Sequence, residues 1–240
     1  MSEPVVEAVE VVKWLGNGAA QVQALKGVSL ALKGGELTLL MGPSGSGKTT
    51  LLLILGCMLM PTRGAVRMGG RSTEGARPEE LARLRREHVG FIFQSYHLFP
   101  TLTATENVRL ALDVRGDNSA RAVAKSKDAL AMVGLAHKIN AFPLELSGGE
   151  QQRVAIARAV VGQPSAVLAD EPTASLDSEN GNAIMTLLAE IAKDSSRGVL
   201  VVAHDTRILR FAHRVVHIED GCIVRGTPPP LMPSPRRPAR

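Results

Sequence analysis

The sequence is short of aromatic residues, of cysteine and of long apolar runs, and each shortage excludes a class of protein. Aromatics make up 3% of the 240 residues, too few for the stacking platforms of RNA-binding domains. Cys57 and Cys222 stand far apart without a Cys/His cluster, so we predict neither a disulfide framework nor a zinc site. The longest apolar run, Leu51 to Met60, has roughly half the ~20 residues of a membrane span. We therefore expect no nucleic-acid partner and no direct membrane insertion.

The charge of the chain is also modest once its end is set aside. The formal charge is +5, and Arg236, Arg237 and Arg240 supply three of the positive charges. The rest of the chain thus carries about +2, without a basic stripe. The first residues are acidic where a signal peptide would be basic, so we expect a cytoplasmic chain.

Patterning predicts an α/β protein whose short apolar strands form a parallel sheet covered on both faces. The predicted strands are Val5 to Val12, Val22 to Leu32, Glu36 to Met41, Ala65 to Met68, Val89 to Phe93, Ala166 to Ala169, Val199 to Ala203 and two strands that flank the turn Glu219-Asp220-Gly221. The predicted helices are one from about Thr49 and those at Pro78 to Glu87, Thr103 to Val114, Ser119 to Val133, Gly149 to Val161, Ser178 to Lys193 and Thr206 to Phe211, with a turn at Gly116 to Asn118. Residues 227–240 include six prolines and are predicted to form a disordered tail.

The most specific motif is a glycine-rich turn between a predicted strand and a predicted helix. It fits G-x-x-x-x-G-K-[ST] and is followed by Thr50; its residues are Gly42, Pro43, Ser44, Gly45, Ser46, Gly47, Lys48 and Thr49. Glycines let backbone N–H groups approach phosphate oxygens, and the helix directs its positive end at the same oxygens. Lys48 is predicted to bridge the β- and γ-phosphates and Thr49 to bind Mg²⁺. A merely flexible turn is the alternative.

Two adjacent carboxylates, Asp170 and Glu171, follow a predicted strand. They would lie at the carboxyl edge of the sheet, where α/β folds bind ligands. Asp170 fits a residue that holds Mg²⁺, and Glu171 fits a base that orients and deprotonates an attacking water. Pro172 disfavours the helical region for its predecessor, so we expect Glu171 to be extended. An exposed acidic turn is the alternative.

A second glycine pair precedes another predicted helix, in Ser147-Gly148-Gly149-Glu150. Ser147 and Glu150 have the spacing of a capping box, which predicts a well-capped helix. Gly148 and Gly149 weaken the first turn of a helix, but they let its N–H groups approach an anion closely. The segment therefore predicts an anion-binding helix N-terminus.

Taken together, GPSGSGKTT, LSGGEQQR and LADEPTASLD resemble the nucleotide-binding domain of ATP-binding-cassette (ABC) transporters, from about Val5 to Arg225. The resemblance implies a P-loop fold of ABC type, with a mixed or parallel sheet, an antiparallel β subdomain and a helical subdomain at about 95–147 inside a domain of 1–226. It implies ATP and Mg²⁺ as ligands. It also implies a homodimer in which the Ser147 to Glu150 segment of one subunit closes over ATP on the P-loop of the other.

Four further positions are matched to the family one at a time. Gln94 resembles the glutamine that reaches Mg²⁺ and senses the membrane subunit, and His204 resembles the histidine that contacts the γ-phosphate. Asp177 resembles the aspartate that shapes the dimer contact, and Trp14 stands where a tyrosine usually stacks on adenine. Each has a simpler alternative: a surface glutamine, a structural histidine, a helix N-terminal acid and a packed core tryptophan.

The subgroup rests on departures from the commonest motifs. Glu150 stands where many members have glutamine, and LADEPT is similar to the lipoprotein-releasing and macrolide-exporting group. The segment FIFQSYHLFPTLTATENV is also similar to amino-acid importers, which leaves the direction of transport open. A cell-division signalling ATPase is one alternative. A translation or repair protein would carry a second cassette or an insertion, and a metabolic kinase would not carry LSGGE.

The sequence thus predicts an ATP-hydrolysing subunit that couples dimer closure to a separate integral membrane permease. The helix-rich section from about Ser95 to Glu145 is expected to meet a cytoplasmic helix of that permease. The chain is then peripheral at the cytoplasmic face of the membrane.

Overall fold

The computed structural model describes residues 3–117 and 119–224. The strands of these residues are β1 (Pro4–Leu15), β2 (Val22–Lys33), β3 (Leu37–Met41), β4 (Arg63–Met68), β5 (Arg71–Ser72), β6 (Val89–Ile92), β7 (Ala166–Asp170), β8 (Gly198–Ala203), β9 (Arg214–Glu219) and β10 (Cys222–Val224). The α-helices are α1 (Lys48–Leu55), α2 (Pro78–His88), α3 (Ala104–Val114), α4 (Ala122–Met132), α5 (Gly148–Val160) and α6 (Ser178–Ala192). The predicted tail and Asn118 lie outside the described residues.

A six-stranded sheet forms the centre of the fold, in the order β10-β9-β3-β8-β7-β6. The five strands from β9 to β6 are parallel, and β10 joins antiparallel through a tight turn. Asp220 and Gly221 both have positive φ in this turn, as an Asp-Gly hairpin requires. The predicted parallel sheet and terminal turn are confirmed.

The central strands are apolar throughout because both faces of the sheet are covered. In β8, Val199 and Val201 pack with residues of α3 to α6. Leu200 and Val202, which point to the opposite face, pack with residues of α1, α2 and the first strands. Alternate side chains of a strand point to opposite faces, so each strand contributes to both cores.

A second sheet, antiparallel, packs on the α1 side in the order β2-β1-β4-β5. Strands β1 and β2 are each 12 residues long and carry alternating buried and exposed residues, as expected for a sheet with one wet face. Strand β5 is two residues long and has no pattern that sequence reasoning could detect.

The helix-rich middle section contains α3 and α4, which pack on α5. The predicted helix 119–133 is shorter, at Ala122–Met132, and Gly116 has positive φ in the turn before it. The predicted helix Thr206–Phe211 is 3₁₀ rather than α. The Arg207 N–H donates to Oδ1 of its N-cap, Asp205, at 2.8 Å at the start of this tighter helix, a common form for short connectors.

Candidate active site

The glycine-rich turn lies between β3 and α1, at the carboxyl end of the central sheet. Gly47 is the N-cap of α1 with φ of 100°, a conformation that favours glycine. A Cβ at Gly47 would also lie 2.6 Å from the carbonyl oxygen of Ala24. Both the backbone conformation and the close approach therefore require glycine here, and the N-terminus of α1 has no side-chain cap among the described residues.

Lys48 is buried, and its ammonium group lies inside the turn. Its Nζ donates to the carbonyl oxygens of Gly42 at 2.8 Å and Pro43 at 2.7 Å. The turn thus holds the cation at the mouth of the helix N-terminus, where an anion would be attracted by both. The Oγ of Ser46 is buried and has no hydrogen-bond partner among the described residues, so one polar group of the turn is left unpaired.

The turn is fixed to the surrounding sheets by backbone hydrogen bonds. The N–H of Gly221 donates to the carbonyl of Ser46 at 3.1 Å, and the N–H of Lys26 donates to that of Gly221 at 2.8 Å. The β9–β10 turn therefore connects the glycine-rich turn to β2. This arrangement holds the loop in shape before any ligand binds.

Thr49 and Asp170 meet across the sheet edge. The hydroxyl of Thr49 donates to Oδ1 of Asp170 at 3.3 Å. Burial raises the pKa of the Asp170 carboxyl above its ordinary value, and the neighbouring Glu171 raises it further, while the Thr49 hydrogen bond acts the other way. A partly buried carboxylate beside a hydroxyl offers hard oxygen ligands of the type that Mg²⁺ prefers. The residues present therefore fit a magnesium ion.

Glu171 lies beside His204, with 3.2 Å between Oε1 and Nδ1. The expected extended backbone of Glu171 is wrong: its φ is +46°, in the left-handed region. Pro172 does exclude the right-handed helical region, but the chain turns at once, and the Glu171 N–H donates to the carbonyl of Val202 in β8. This bond ties Glu171 to the strand that carries His204. A non-glycine residue in this region is strained and is held there by its surroundings.

A cavity of about 870 Å³ opens over these groups. The lining residues on one side follow three different strands, β3, β7 and β8. They are the glycine-rich turn with Lys48, Thr49 and Thr50, then Glu171, and then His204. Sequence reasoning missed its opposite wall, which is formed by Leu15, Val22, Gln23, Ala24, Lys26, Asp220 and Gly221. The sequence predicts the Asp-Gly turn. Because this turn is far from the glycine-rich motif along the chain, no local pattern predicts the contact between them.

The Ser147 to Glu150 segment begins α5 as a complete capping box. The Ser147 hydroxyl accepts from the Glu150 N–H at 3.3 Å, and Glu150 Oε2 accepts from the Ser147 N–H at 2.8 Å. This second bond holds the pKa of Glu150 below its usual range. None of the four residues lines the cavity over Lys48. Within one chain the two glycine-rich segments are therefore separate.

The remaining predicted residues take different places. Asp177 is the N-cap of α6, where it accepts from the Asn180 N–H at 2.9 Å, and this bond lowers the pKa of its carboxyl. Gln94 is exposed just after β6. Trp14 lies near the end of β1 and is 38% exposed, and its neighbour Leu15, rather than Trp14, lines the cavity.

Comparisons with known proteins agree on one family. The family model described as "ABC transporter" matches residues 25–174. Macrolide export ATP-binding/permease protein MacB of Salmonella typhi is 43% identical over 212 residues, which are 88% of this chain and 33% of that protein. The protein of the same name from Burkholderia thailandensis is 42% identical over 93% of this chain and 34% of its own length. The chain thus spans about a third of the length of these relatives.

Solved structures show the same likeness. The ATP-binding cassette MJ0796, described as a dimeric post-hydrolysis state bound to ADP and Pi, superposes with a TM-score of 0.85 at 40% identity, covering 94% of this chain and 99% of that one. The cbiO1 protein of Clostridium perfringens, part of the ABC transporter complex cbiONQ, gives 0.83 at 27% identity over 95% and 90% of the two chains.

Proposed function

Since the chain belongs to the ABC transporter family and is an ATP-hydrolysing cassette of that family, we propose that it drives a membrane complex by closing and reopening an ATP-bridged homodimer. The observation that carries the proposal is the separation of the two anion-binding segments. Lys48 and Glu171 line one cavity, whereas Ser147 to Glu150 begin a helix outside it. A second copy of the chain supplies the missing segment to each cavity.

In this proposal the chain's own residues divide the work of hydrolysis. The N–H groups of the glycine-rich turn and Lys48 bind the phosphates and stabilise the charge that develops on them. Glu171 accepts a proton from the attacking water, and His204, 3.2 Å from it, orients that carboxylate and reaches toward the γ-phosphate. The partner's Ser147 closes the cavity and excludes bulk water.

Magnesium is the metal that this site would hold. Thr49 and Asp170, which are hydrogen-bonded to each other, would hold it, with Gln94 as a further ligand, and the ion would neutralise charge on the phosphates. Mg²⁺ is commonly held by one or two protein oxygens together with substrate phosphates.

The dimer is supported by the position of helix α5. Its first turn carries Gly148 and Gly149 and lies outside the cavity over Lys48, so the partial positive charge of this helix N-terminus is separate from the chain's own phosphate site. The dimeric arrangement of MJ0796 bound to ADP and Pi supports the same assembly here.

A groove at one edge of the helix-rich section is the proposed docking surface for the permease. It lies between α2, β6, α3 and α5, with a volume of about 400 Å³. Phe99 and Val114 on its rim are 54% and 64% exposed. No helix of the described residues is long and apolar enough to cross a bilayer. The permease's cytoplasmic helix would fill this groove and connect it to the membrane.

Export is the proposed direction of transport, because the MacB relatives are named for macrolide export. An amino-acid importer and a cell-division signalling ATPase remain the competing hypotheses. The integral membrane protein that binds the chain distinguishes the three.

The proposal is tested by co-purification from membranes with Glu171→Gln, which holds the closed state. We expect a single integral membrane protein to be retained in an ATP-dependent manner. Phe99→Asp should abolish its retention while leaving nucleotide binding intact. Met132→Asp places the same charge on another exposed apolar residue of the section and should have no effect. Equal retention by all three variants would contradict the docking surface.

A further inference from the structure

The segment that follows Gln94 has an unusual backbone. Tyr96 and His97 both have positive φ, of 58° and 49°. Neither is glycine, and consecutive non-glycine residues in this region are strained and persist only where the surroundings hold them. Other residues must therefore hold this short segment in its conformation.

Arg158 of α5 holds it through two hydrogen bonds. Its Nη1 donates to the carbonyl oxygen of His97 and its Nη2 to that of Tyr96, each at 2.6 Å. The two bonds come from the two arms of one planar guanidinium, and they point at two consecutive carbonyls. Such a charge-assisted fork fixes orientation as well as distance.

The side chain of Tyr96 meets the other end of the same helix. A Cβ at Gly148 would lie 3.0 Å from the Tyr96 hydroxyl oxygen and 4.0 Å from the ring carbon that bears it. Arg158 stands ten residues after Gly148, or about 15 Å along a helix. Tyr96 thus lies along α5, with its backbone held at one end of the helix and its hydroxyl against the first turn.

The first turn is also held from the opposite direction. A Cβ at Gly149 would lie 2.7 Å from the Asn180 side-chain oxygen. Asn180 is itself fixed by Asp177, whose carboxylate accepts from both its backbone N–H and its side-chain amide. The turn of Ser147 to Glu150 is therefore enclosed between the segment after Gln94 and the segment of Asp177.

We propose that Arg158 and Tyr96 are positioning residues that join the Gln94 segment to helix α5 as one rigid unit. When Gln94 moves toward nucleotide in its own cavity, the unit carries the Ser147 to Glu150 turn with it, toward the partner's nucleotide. This inference rests on the proposed dimer. It assigns the coupling between the two cavities to one guanidinium and one phenol.

The first test measures ATP-driven dimerisation in the Glu171→Gln background by analytical ultracentrifugation. Arg158→Ala should raise the dimer dissociation constant at least about tenfold, the change expected when one charge-assisted hydrogen bond is lost. Arg158→Lys, which keeps the charge but not the fork, should give an intermediate value. ADP affinity of the monomer should stay within about twofold. Unchanged dimerisation in both variants would overturn the inference.

The matched control is Arg85→Lys. Arg85 also donates through Nη1 to a backbone carbonyl, that of Cys57 at 2.7 Å, but it lies on α2, away from the enclosed turn. We expect its dimer constant to equal that of the parent. An equal loss in this control would mean that the Arg158 effect is only structural, which would overturn the positioning role.

A double substitution tests the Tyr96 contact itself. Gly148→Ala should weaken dimerisation because its Cβ crowds the hydroxyl. Adding Tyr96→Phe removes that oxygen and should recover at least about threefold of the loss. If the double variant is as weak as Gly148→Ala alone, the phenol does not set the position of the turn.

A second measurement needs no dimer. In the ligand-free monomer, Arg158→Lys should speed amide hydrogen exchange both at residues 94–98 and at residues 147–150, while Arg85→Lys should not. Faster exchange at the first segment alone would overturn the rigid unit. Failure of the Glu171→Gln parent to dimerise would instead count against the proposed function, and this exchange experiment would still decide the inference.

Discussion

The two glycine-containing helix N-termini of this molecule, those of α1 and α5, differ in how complete their surroundings are. The N-terminus of α1 lies in a cavity lined by a buried lysine and by a carboxylate and histidine pair, with Thr49 bonded to Asp170 at its edge. The N-terminus of α5 has a complete capping box and two glycines. It lies outside the cavity that Lys48, Glu171 and His204 line. In the proposed function, the first binds and activates a phosphate chain, and the second only covers one.

In the proposed dimer, this difference has a use. A site assembled from two copies opens and closes as the copies separate and meet, and each closure would perform mechanical work on the attached membrane protein. Four substitutions, each at one of the two N-termini, test this division of roles.

The largest effect is expected from Glu171→Gln, which removes the base from the α1 cavity and leaves its shape. Hydrolysis should fall by about 10²–10⁴-fold, the usual contribution of a positioned general base. ATP binding should persist, and the dimer should accumulate on gel filtration. Glu190→Gln, a surface change, is the control. A monomeric Glu171→Gln protein with normal turnover would end the assignment.

Lys48→Ala should weaken ATP binding by about 10²-fold, because a buried cation that would contact the phosphates is lost from the α1 side. Titration with a fluorescent ATP analogue measures the change, and Lys193→Ala serves as the exposed control. The α5 turn is untouched, so the variant should still donate it to an active partner. Unchanged affinity would contradict the phosphate role.

The sequence alone predicts both helix N-termini, and the features that it does not predict have physical reasons. The motif around Lys48 and the capping box at Ser147 are local, so short patterns predict them well. The contacts of Gly221 and Ala24 with the α1 cavity depend on strand order, which no local pattern encodes. Sequence reasoning also missed the left-handed backbone of Glu171, because Pro172 excludes one region of φ and ψ without selecting among the others.

For a similar reason, no sequence pattern predicts the hydrogen bonds from Arg158 to the backbone of Tyr96 and His97. Arg158 and Tyr96 are separated by 62 residues, and neither stands in a motif that signals the contact. Trp14 stays a prediction: the resemblance implies that it stacks on adenine, and in the structure its neighbour Leu15 lines the cavity.

Ser147→Ala acts on the α5 side and should have a smaller effect. Loss of the cap should cost about 1 kcal/mol of folding free energy, or about 2–4 °C in Tm, and hydrolysis should fall roughly tenfold because the covering hydroxyl is gone. Thr103→Ala removes the equivalent capping box of α3. It should lower Tm equally and leave hydrolysis of the isolated protein unchanged. Equal activity losses in both variants would contradict a special role for α5.

Asp170→Asn should produce the smallest change, a small rise in ligand-free Tm at neutral pH. The folded-state pKa of Asp170 is raised, so ionisation is less favourable in the folded protein than in the unfolded chain. The carboxylate therefore destabilises the fold above its unfolded pKa, and the advantage of asparagine should vanish as pH falls and the acid is protonated. A lower Tm than wild type at pH 7 would contradict this.

The most direct test of the account is a crystal structure of Glu171→Gln grown with ATP and Mg²⁺. We predict two copies face to face, with the Ser147 hydroxyl of each within about 2.5–3.0 Å of a phosphate oxygen on the other's nucleotide. A nucleotide bound over Lys48 with the Ser147 to Glu150 turn of every neighbouring copy far from it would contradict the account.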